Sequence, residues 1–283
     1  MSELRYTVQY DHRLGLHRWQ IAPGQRLLPP PVAAARRFPR LVSLGGGAGL
    51  AILLQGLKAT LFAPGSAWVS AEGGQRLTAI VSVGTDGDGS AYLAPRECLL
   101  ALFEGDATTA AIFDLPLNGT GEEQSQRLVL EPDGAVSRAL GAIGAADLIV
   151  IGPARLYASL IAVLLVKEIA EAIGRSKARG VLVMNLMTEL GQTDGYTATD
   201  HLLAIRSHAP AVRIHDVLFN TAPFAPELLA RYAAHGRVPV ATNVGHLLAH
   251  GCRPIGRDLL GQGPTVRHDP AKLARAVLDL VRT

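Results

Sequence analysis

Arg40-Leu41-Val42-Ser43-Leu44-Gly45-Gly46-Gly47-Ala48-Gly49-Leu50 is the stretch on which the fold turns. An apolar run enters a cluster of glycines, and Leu50 to Leu57 then carries apolar residues at helical spacing, with Gly56 and Pro64 marking the exit. Strand, glycine turn and helix in that order open a βαβ unit. Glycines at such a turn let backbone N–H groups approach a phosphate unobstructed. The helix behind them adds free donors and the positive end of its dipole. The turn is not a Walker loop, because no Gly-Lys-Ser/Thr follows. It fits the dinucleotide pattern GxGxxG loosely, because Leu50 stands at the third glycine. A tight turn that binds nothing is the competing reading of the same residues.

Further along the chain, strands are expected at 77–83, 127–130, 148–151, 181–184, 215–219 and 238–242. Helices are expected at 95–103 and 136–144, from 154 to about 173, and at 197–207, 225–235 and 270–281. Strands alternating with helices predict an α/β fold, a Rossmann-like doubly wound, mostly parallel sheet in three layers. Leu148-Ile149-Val150-Ile151 is a continuous apolar run, as a parallel strand covered on both faces requires. In this architecture ligands bind beyond the carboxyl ends of the strands. The distinctive segments 45–49, 84–90, 152–157, 185–196 and 220–223 each follow a predicted strand.

Composition narrows the class. The chain has 283 residues, 48% of them hydrophobic and 18% charged, a balance that supports a sizeable core. Its two cysteines, Cys98 and Cys252, build neither a disulfide framework nor a CxxC metal pair, and a cytoplasmic location is expected. Leu160 to Val166 is apolar but is stopped by Lys167 and Glu168. It falls short of the ~20 residues a membrane span needs and reads as a buried helix. Residues 1–40 hold seven arginines against two acidic residues, which leaves the remainder at −2 of the chain's +3. Tyr6, Tyr10, Trp19 and Phe38 lie among those arginines, but no nucleic-acid motif organises them. Residues 1–39 therefore read as a basic arm, packed on the domain or partly disordered, and residues 40–283 as a single nucleotide-binding domain. Nucleic acid is not an expected partner, no membrane span is expected, and homo-oligomerisation is left open.

Four further segments carry chemistry. In Gly84-Thr85-Asp86-Gly87-Asp88-Gly89-Ser90, Asp86 and Asp88 suit Mg²⁺ beside a phosphate, or an ordinary Asp-Gly turn. Arg155, in Gly152-Pro153-Ala154-Arg155-Leu156-Tyr157, stands at a helix start as a phosphate clamp or as a solvated side chain. The loop Asn185 to Tyr196 is dense in donors and acceptors and suits recognition of a base, a ribose or a sugar hydroxyl, with Thr197 or Thr199 capping the next helix. In Arg267-His268-Asp269-Pro270, Asp269 as N-cap and Pro270 at the first helical position leave Arg267 and His268 to face a ligand. His246 and His250 sit four apart on a helix without a third ligand, which gives a metal pair little support.

Taken in order, these segments resemble the YvcK-type gluconeogenesis factors and the related CofD 2-phospho-lactate transferases. The resemblance rests on Gly45 to Leu50, Thr78 to Val83, Gly152-Pro153, Glu171 to Ile173 and Ser176 to Ala178, then Asn185-Leu186-Met187-Thr188 with Gly191-Gln192-Thr193-Asp194-Gly195-Tyr196. Asp200-His201, Asn220, Arg231-Tyr232 and Val266 to Pro270 complete it. It implies a Rossmann-like nucleotide-binding fold. On the YvcK side it implies binding of UDP-N-acetylglucosamine, with a role in carbon metabolism and cell-wall or cell-shape control. On the CofD side it implies Mg²⁺-dependent transfer of a phospholactyl-type group from a guanosine nucleotide. Tyr232 and Arg267 match positions that contact the nucleotide-sugar in YvcK-like proteins. The resulting candidate nucleotide site comprises Gly45, Gly46, Gly47, Ala48, Gly49, Asn185, Thr188, Thr193, Tyr196, Asn220, Tyr232 and Arg267, with Asp86 and Asp88 as metal ligands and no catalytic residue assigned.

Departures from the family pattern favour a regulator over an enzyme. Thr85 replaces the first aspartate of Ala-Asp-Asp-Gly-Gly, Glu97 replaces the asparagine of Arg-Asn-Cys-Leu, and Ala154-Arg155 replaces Gly-Ser. The segment bearing Gly-His-x-x-Gly-Asn is missing, and residues 104–126 bridge its place. The expected function is a nucleotide-sugar-binding regulatory protein, the alternatives being a CofD-like transferase and a diverged member that has lost its ligand.

Overall fold

The computed structural model describes residues 6–11, 16–21, 36–37, 39–61, 68–69, 77–82, 108–113 and 132–281. The chain divides into two compact units, Met1–Arg36 and Arg37–Thr283. In the first, Tyr6–Asp11 pairs antiparallel with Leu16–Ile21, from Tyr6 opposite Ile21 to Asp11 opposite Leu16. The basic arm thus contains an ordered hairpin. Its second strand carries His17 and Arg18 among apolar residues, which obscured the alternation.

The second unit is built on one parallel sheet. Its strands are β1 (Leu41–Gly45), β2 (Leu77–Ser82), β3 (Thr108–Phe113), β4 (Leu148–Ile151), β5 (Arg179–Val183), β6 (Asp216–Asn220) and β7 (Arg253–Arg257). Their spatial order is β7-β6-β5-β4-β1-β2-β3, every neighbouring pair parallel. That is the doubly wound Rossmann order, with its reversal between β1 and β4.

Alternation along each strand divides the core in two. Leu41, Leu77, Ala79, Val81, Leu148, Val150, Val181 and Val183 face α1 (Gly47–Leu61) and α7 (Pro270–Leu280). Val42, Leu44, Ile80, Ile149, Ile151 and Leu182 face the opposite layer of α2 (Pro132–Ala145), α3 (Lys167–Arg175) and α4 (Ala198–His208). Leu50, Leu53, Leu54 and Leu57 of α1 are fully buried, and each such leucine contributes about 1.5–3 kcal/mol of transfer free energy. Two short helices, α5 (Pro226–Ala233) and α6 (Val244–Ala249), lie on the β6–β7 side of the chain's course.

Several expectations are corrected. The helix from 154 to 173 is three pieces: a π-helical turn Leu156–Ile161, a short α-helical segment Ala162–Leu164, and α3. The break falls at Leu165–Val166, and Leu165 stands 59% exposed at the end of an otherwise buried run. Residues 238–242 form no strand, since Pro239 lacks an N–H for a ladder. They run beside the 185–197 loop instead, with Thr188 N donating to Val238 O (2.7 Å) and Ala198 N to Ala241 O (2.8 Å). The seventh strand is Arg253-Pro254-Ile255-Gly256-Arg257, whose proline and glycine had disguised it. The expected elements at 95–103 and 127–130 lie outside the described residues.

The amino ends of the strands are fastened by charge. Asp216, the first residue of β6, is fully buried. It accepts two hydrogen bonds from Arg179, the first residue of β5, and one from Arg253, the first residue of β7 (Nε to Oδ1, 2.8 Å). Burial opposes ionisation of Asp216, but the two guanidinium groups outweigh it and hold the carboxyl below the usual carboxylate range. One carboxylate thereby fixes three neighbouring strands. Between β1 and β4 a second tie does the same, with Arg40 N donating to Asp147 Oδ2 (2.7 Å) and Asp147 N to Arg40 O (2.8 Å).

Replacing Asp216 by Ala removes the acceptor of three charged hydrogen bonds from two partly exposed arginines and should cost about 1–3 kcal/mol. A depressed carboxylate stabilises the fold above its ordinary value of about 4 and loses that contribution as pH falls through the folded-state value. Urea melts at pH 7 and pH 3 check both points: the wild type should lose stability over that interval by more than Asp216→Ala does.

Candidate functional site

The site begins at the reversal in strand order. After β1 the chain leaves toward the α1 face, and after β4 toward the other face, so the two carboxyl ends part and leave a crevice. They part from a close contact. Gly152 N donates to Leu44 O (2.8 Å), and a Cβ on Gly49 would collide with the Pro153 carbonyl. Only glycine admits the first turn of α1 so close to the β4 turn. Gly47 is different. Its φ is +66°, in the left-handed region, and a Cβ there would meet nothing within 4 Å. One glycine of the turn is thus required by packing, and another by backbone conformation beside open space.

The β4 turn carries Arg155, which faces Glu189 of the 185–196 loop, Nε to Oε1 3.9 Å. Burial pushes the Glu189 carboxyl up, against the opposing charges of Arg155 and Arg237. Its other oxygen, Oε2, is buried without a hydrogen-bond partner. The loop's backbone is self-supporting: Glu189 N donates to Thr193 Oγ1 (2.8 Å) and Thr193 N to Glu189 O (2.9 Å). Thr188 Oγ1 accepts from Val238 N (3.0 Å). The buried Thr188 and Thr193 therefore shape the loop from within. Asn185 is half-buried at its head. Tyr196, at its tail, shares a hydrogen bond of 2.8 Å with the Tyr157 hydroxyl and meets His201 edge to face. That hydrogen bond, followed by burial, raises the Tyr157 pKa. Thr197 then caps α4 in a reciprocal box with Asp200.

Beyond β6, Asn220 is fully engaged. Its Oδ1 accepts from Ala222 N (3.2 Å) and Leu259 N (3.0 Å), and its Nδ2 donates to Ala222 O (2.8 Å), joining the turns after β6 and β7. Tyr232 lies against the turn that carries Arg267. The Tyr232 hydroxyl accepts from Val266 N (3.0 Å), and Arg231 donates to Pro264 O, so α5 holds the 260–268 turn that presents the exposed Arg267. His268 turns the other way. It is buried and hydrogen-bonds the Met184 backbone at the end of β5, and burial pushes its ring down to about 4. A ring in that state is neutral at physiological pH and offers a phosphate no cation, which corrects the expectation that it faces a ligand beside Arg267. Asp269 accepts from Lys272 N (2.9 Å) as the N-cap of α7.

Asp86 and Asp88 lie outside the described residues. Among the described residues no three His, Cys, Asp or Glu side chains gather as a metal site, His246 and His250 included. No helix among them is long and apolar enough to cross a membrane. Glu189 is the site residue that the sequence reading did not single out. The signal was present as one of two carboxylates in the loop, the nearer to the preceding apolar strand.

The profile of one family, 2-phospho-L-lactate transferase CofD, matches residues 116–260, just over half of the chain. A gluconeogenesis factor from Halalkalibacterium halodurans is 42% identical over 141 residues, covering 50% of this chain and 44% of that protein. The gluconeogenesis factor of Bacillus subtilis is 31% identical over 163 residues, covering 56% and 51%. The chain thus spans about half the length of the curated relatives it matches. Among solved structures, the crystal structure of a UPF0052 family member from Bacillus halodurans superposes with a TM-score of 0.68 at 27% identity, covering 86% of this chain and 99% of that one.

The state of His268 has a measurable consequence. Between about pH 6.5 and 4 the unfolded chain binds a proton that the folded ring refuses, so stability falls as pH falls through that window. His268→Gln removes this linkage. Its loss of stability between pH 7 and pH 5 should be smaller than that of the wild type by about 2 kcal/mol, read from urea melts. Equal losses would show that the ring titrates normally.

Proposed function

The chain belongs to the CofD family, and we propose that it is a nucleotide-sugar-binding protein of the gluconeogenesis-factor kind, holding its ligand's phosphates on Gly45–Gly49. The observation that carries this reading is the crevice between β1 and β4. There, the positive end of the α1 dipole favours an anion. Arg155, two residues past Pro153 on the adjoining β4 turn, is a second positive group, and Arg267 is an exposed cation on a turn tethered through Tyr232. The 185–196 loop, closed off by residues 238–241, supplies the wall against which a sugar or base rests. Binding of UDP-N-acetylglucosamine and control of carbon metabolism or cell shape are the specific form of this proposal. Such a protein needs no general base: a bound nucleotide-sugar shifts the balance between two states of the protein in proportion to its differential affinity for them.

A second reading, a Mg²⁺-dependent transferase acting on a guanosine nucleotide, is favoured by the family description that matches residues 116–260. Its metal ligands would be Asp86 and Asp88.

Calorimetry with UDP-N-acetylglucosamine, UDP, GTP and GDP, each with and without Mg²⁺, separates the readings. We expect saturable, Mg²⁺-independent binding of the UDP-sugar above UDP. Guanosine-nucleotide binding that requires Mg²⁺ would favour the transferase. Gly47→Asn should keep the fold, because asparagine tolerates the left-handed region. It should also weaken phosphate binding at least tenfold or so by placing a side chain over the turn. Unchanged affinity in the folded variant would remove the glycine turn from the site.

A further inference from the structure

The carboxylate of Glu189 has an unmet requirement. An ionised carboxylate only accepts hydrogen bonds. Oε1 faces Arg155 across 3.9 Å, which is beyond hydrogen-bond length, and Oε2 is buried with no partner at all. The loop does not use this side chain to hold itself, since Glu189 is fixed through its backbone N–H and carbonyl to Thr193. A buried acceptor without a donor costs about 1–3 kcal/mol, and more when it is charged, so its retention there calls for a donor that arrives with something else.

Position indicates what that donor is. A Cβ placed on Gly45 would lie 3.1 Å from the Ala154 Cβ, and Gly49 abuts Pro153, so the glycine turn and the β4 turn are in contact. Arg155 is the next residue, and its guanidinium lies 3.9 Å from Glu189. Contacts therefore run from the glycine turn to the β4 turn, and from the guanidinium that this turn carries to a carboxylate. A phosphate suits the glycine turn and the guanidinium and is repelled by the carboxylate. The group covalently next to a phosphate in a nucleotide or nucleotide-sugar is a sugar, whose hydroxyls are donors.

We infer that Glu189 is a specificity residue of this site, accepting hydrogen bonds from sugar hydroxyls attached to a phosphate that Gly45–Gly49 and Arg155 hold. The inference rests on the phosphate reading of the glycine turn. It adds a rejection as well as an attraction: a further phosphate in the sugar's place would meet a like charge.

The test compares wild type, Glu189→Gln and Glu189→Ala by calorimetry against three probes: pyrophosphate, UDP and UDP-N-acetylglucosamine. Thermal melting confirms that the variants fold. In both variants the preference for a sugar-bearing probe over pyrophosphate should fall about tenfold or more, with pyrophosphate affinity unchanged or improved. A loss already seen with UDP assigns the carboxylate to the ribose, and a loss seen only with the UDP-sugar assigns it to the second sugar; both support the inference. Unchanged preferences in folded variants, or an equal loss for all three probes, overturn it while leaving the glycine turn intact as a phosphate site. A wild-type protein that binds none of the probes overturns the phosphate reading, and this inference with it.

Discussion

The close approach of Gly49 to the Pro153 carbonyl governs the rest of the structure. It sets the distance between α1 and the β4 turn, and hence how the carboxyl ends of β1 and β4 separate. A larger residue at 49 would force the helix off the sheet and open the core formed by Leu50, Leu53, Leu54 and Leu57. The same contact positions the cluster of groups with functional interest. Pro153 is followed by Ala154 against Gly45, then by Arg155 against Glu189, so packing at the switch point is transmitted outward into the polar wall of the crevice. The site is thus an extension of the core rather than an attachment to it.

Charge among the candidate residues is graded. Arg267 is exposed, Arg155 is partly covered, Glu189 has one oxygen sealed, and His268 is buried and neutral. The gradient has a structural cause. The 260–268 turn is held by Tyr232 and Arg231 on its outer side and by the Met184 backbone on its inner side, so adjacent residues 267 and 268 face water and core respectively.

Much of this was legible in the sequence, and what was not has identifiable causes. Strands with covered faces announce themselves: Leu148 to Ile151 and Leu41 to Leu44 read correctly because both faces need apolar side chains. The edge strand β7 has no such requirement. Its Arg253 pairs with the buried Asp216 and its Pro254 is tolerated at an edge, so the run carries no apolar strand signature. Val238 to Thr242 misled in the opposite sense, because β-branched residues around Pro239 were chosen to line a loop rather than to join a ladder. In the candidate site, the glycine turn and the 185–196 loop stand out in the sequence as distinctive residue types after apolar strands. The division of labour does not. Thr188, Thr193 and Asn220 look like ligand-binding residues by type, yet their polar atoms are engaged by the backbone of neighbouring loops, and only geometry reveals which side chain remains without a partner.

Asp216 sits at the opposite end of the strands from all of this. With Arg179 and Arg253 it sets the register of β5, β6 and β7 at their amino ends, leaving the carboxyl ends to loops that contribute little to that alignment. Over evolutionary time such an arrangement separates inheritance of the scaffold from inheritance of the ligand. Outside the glycine turn and the Asn220 link, loops at the carboxyl ends can exchange residues while this tie at the amino ends is kept, so a lineage can drift from one small molecule to another, or from turnover to sensing, on one scaffold.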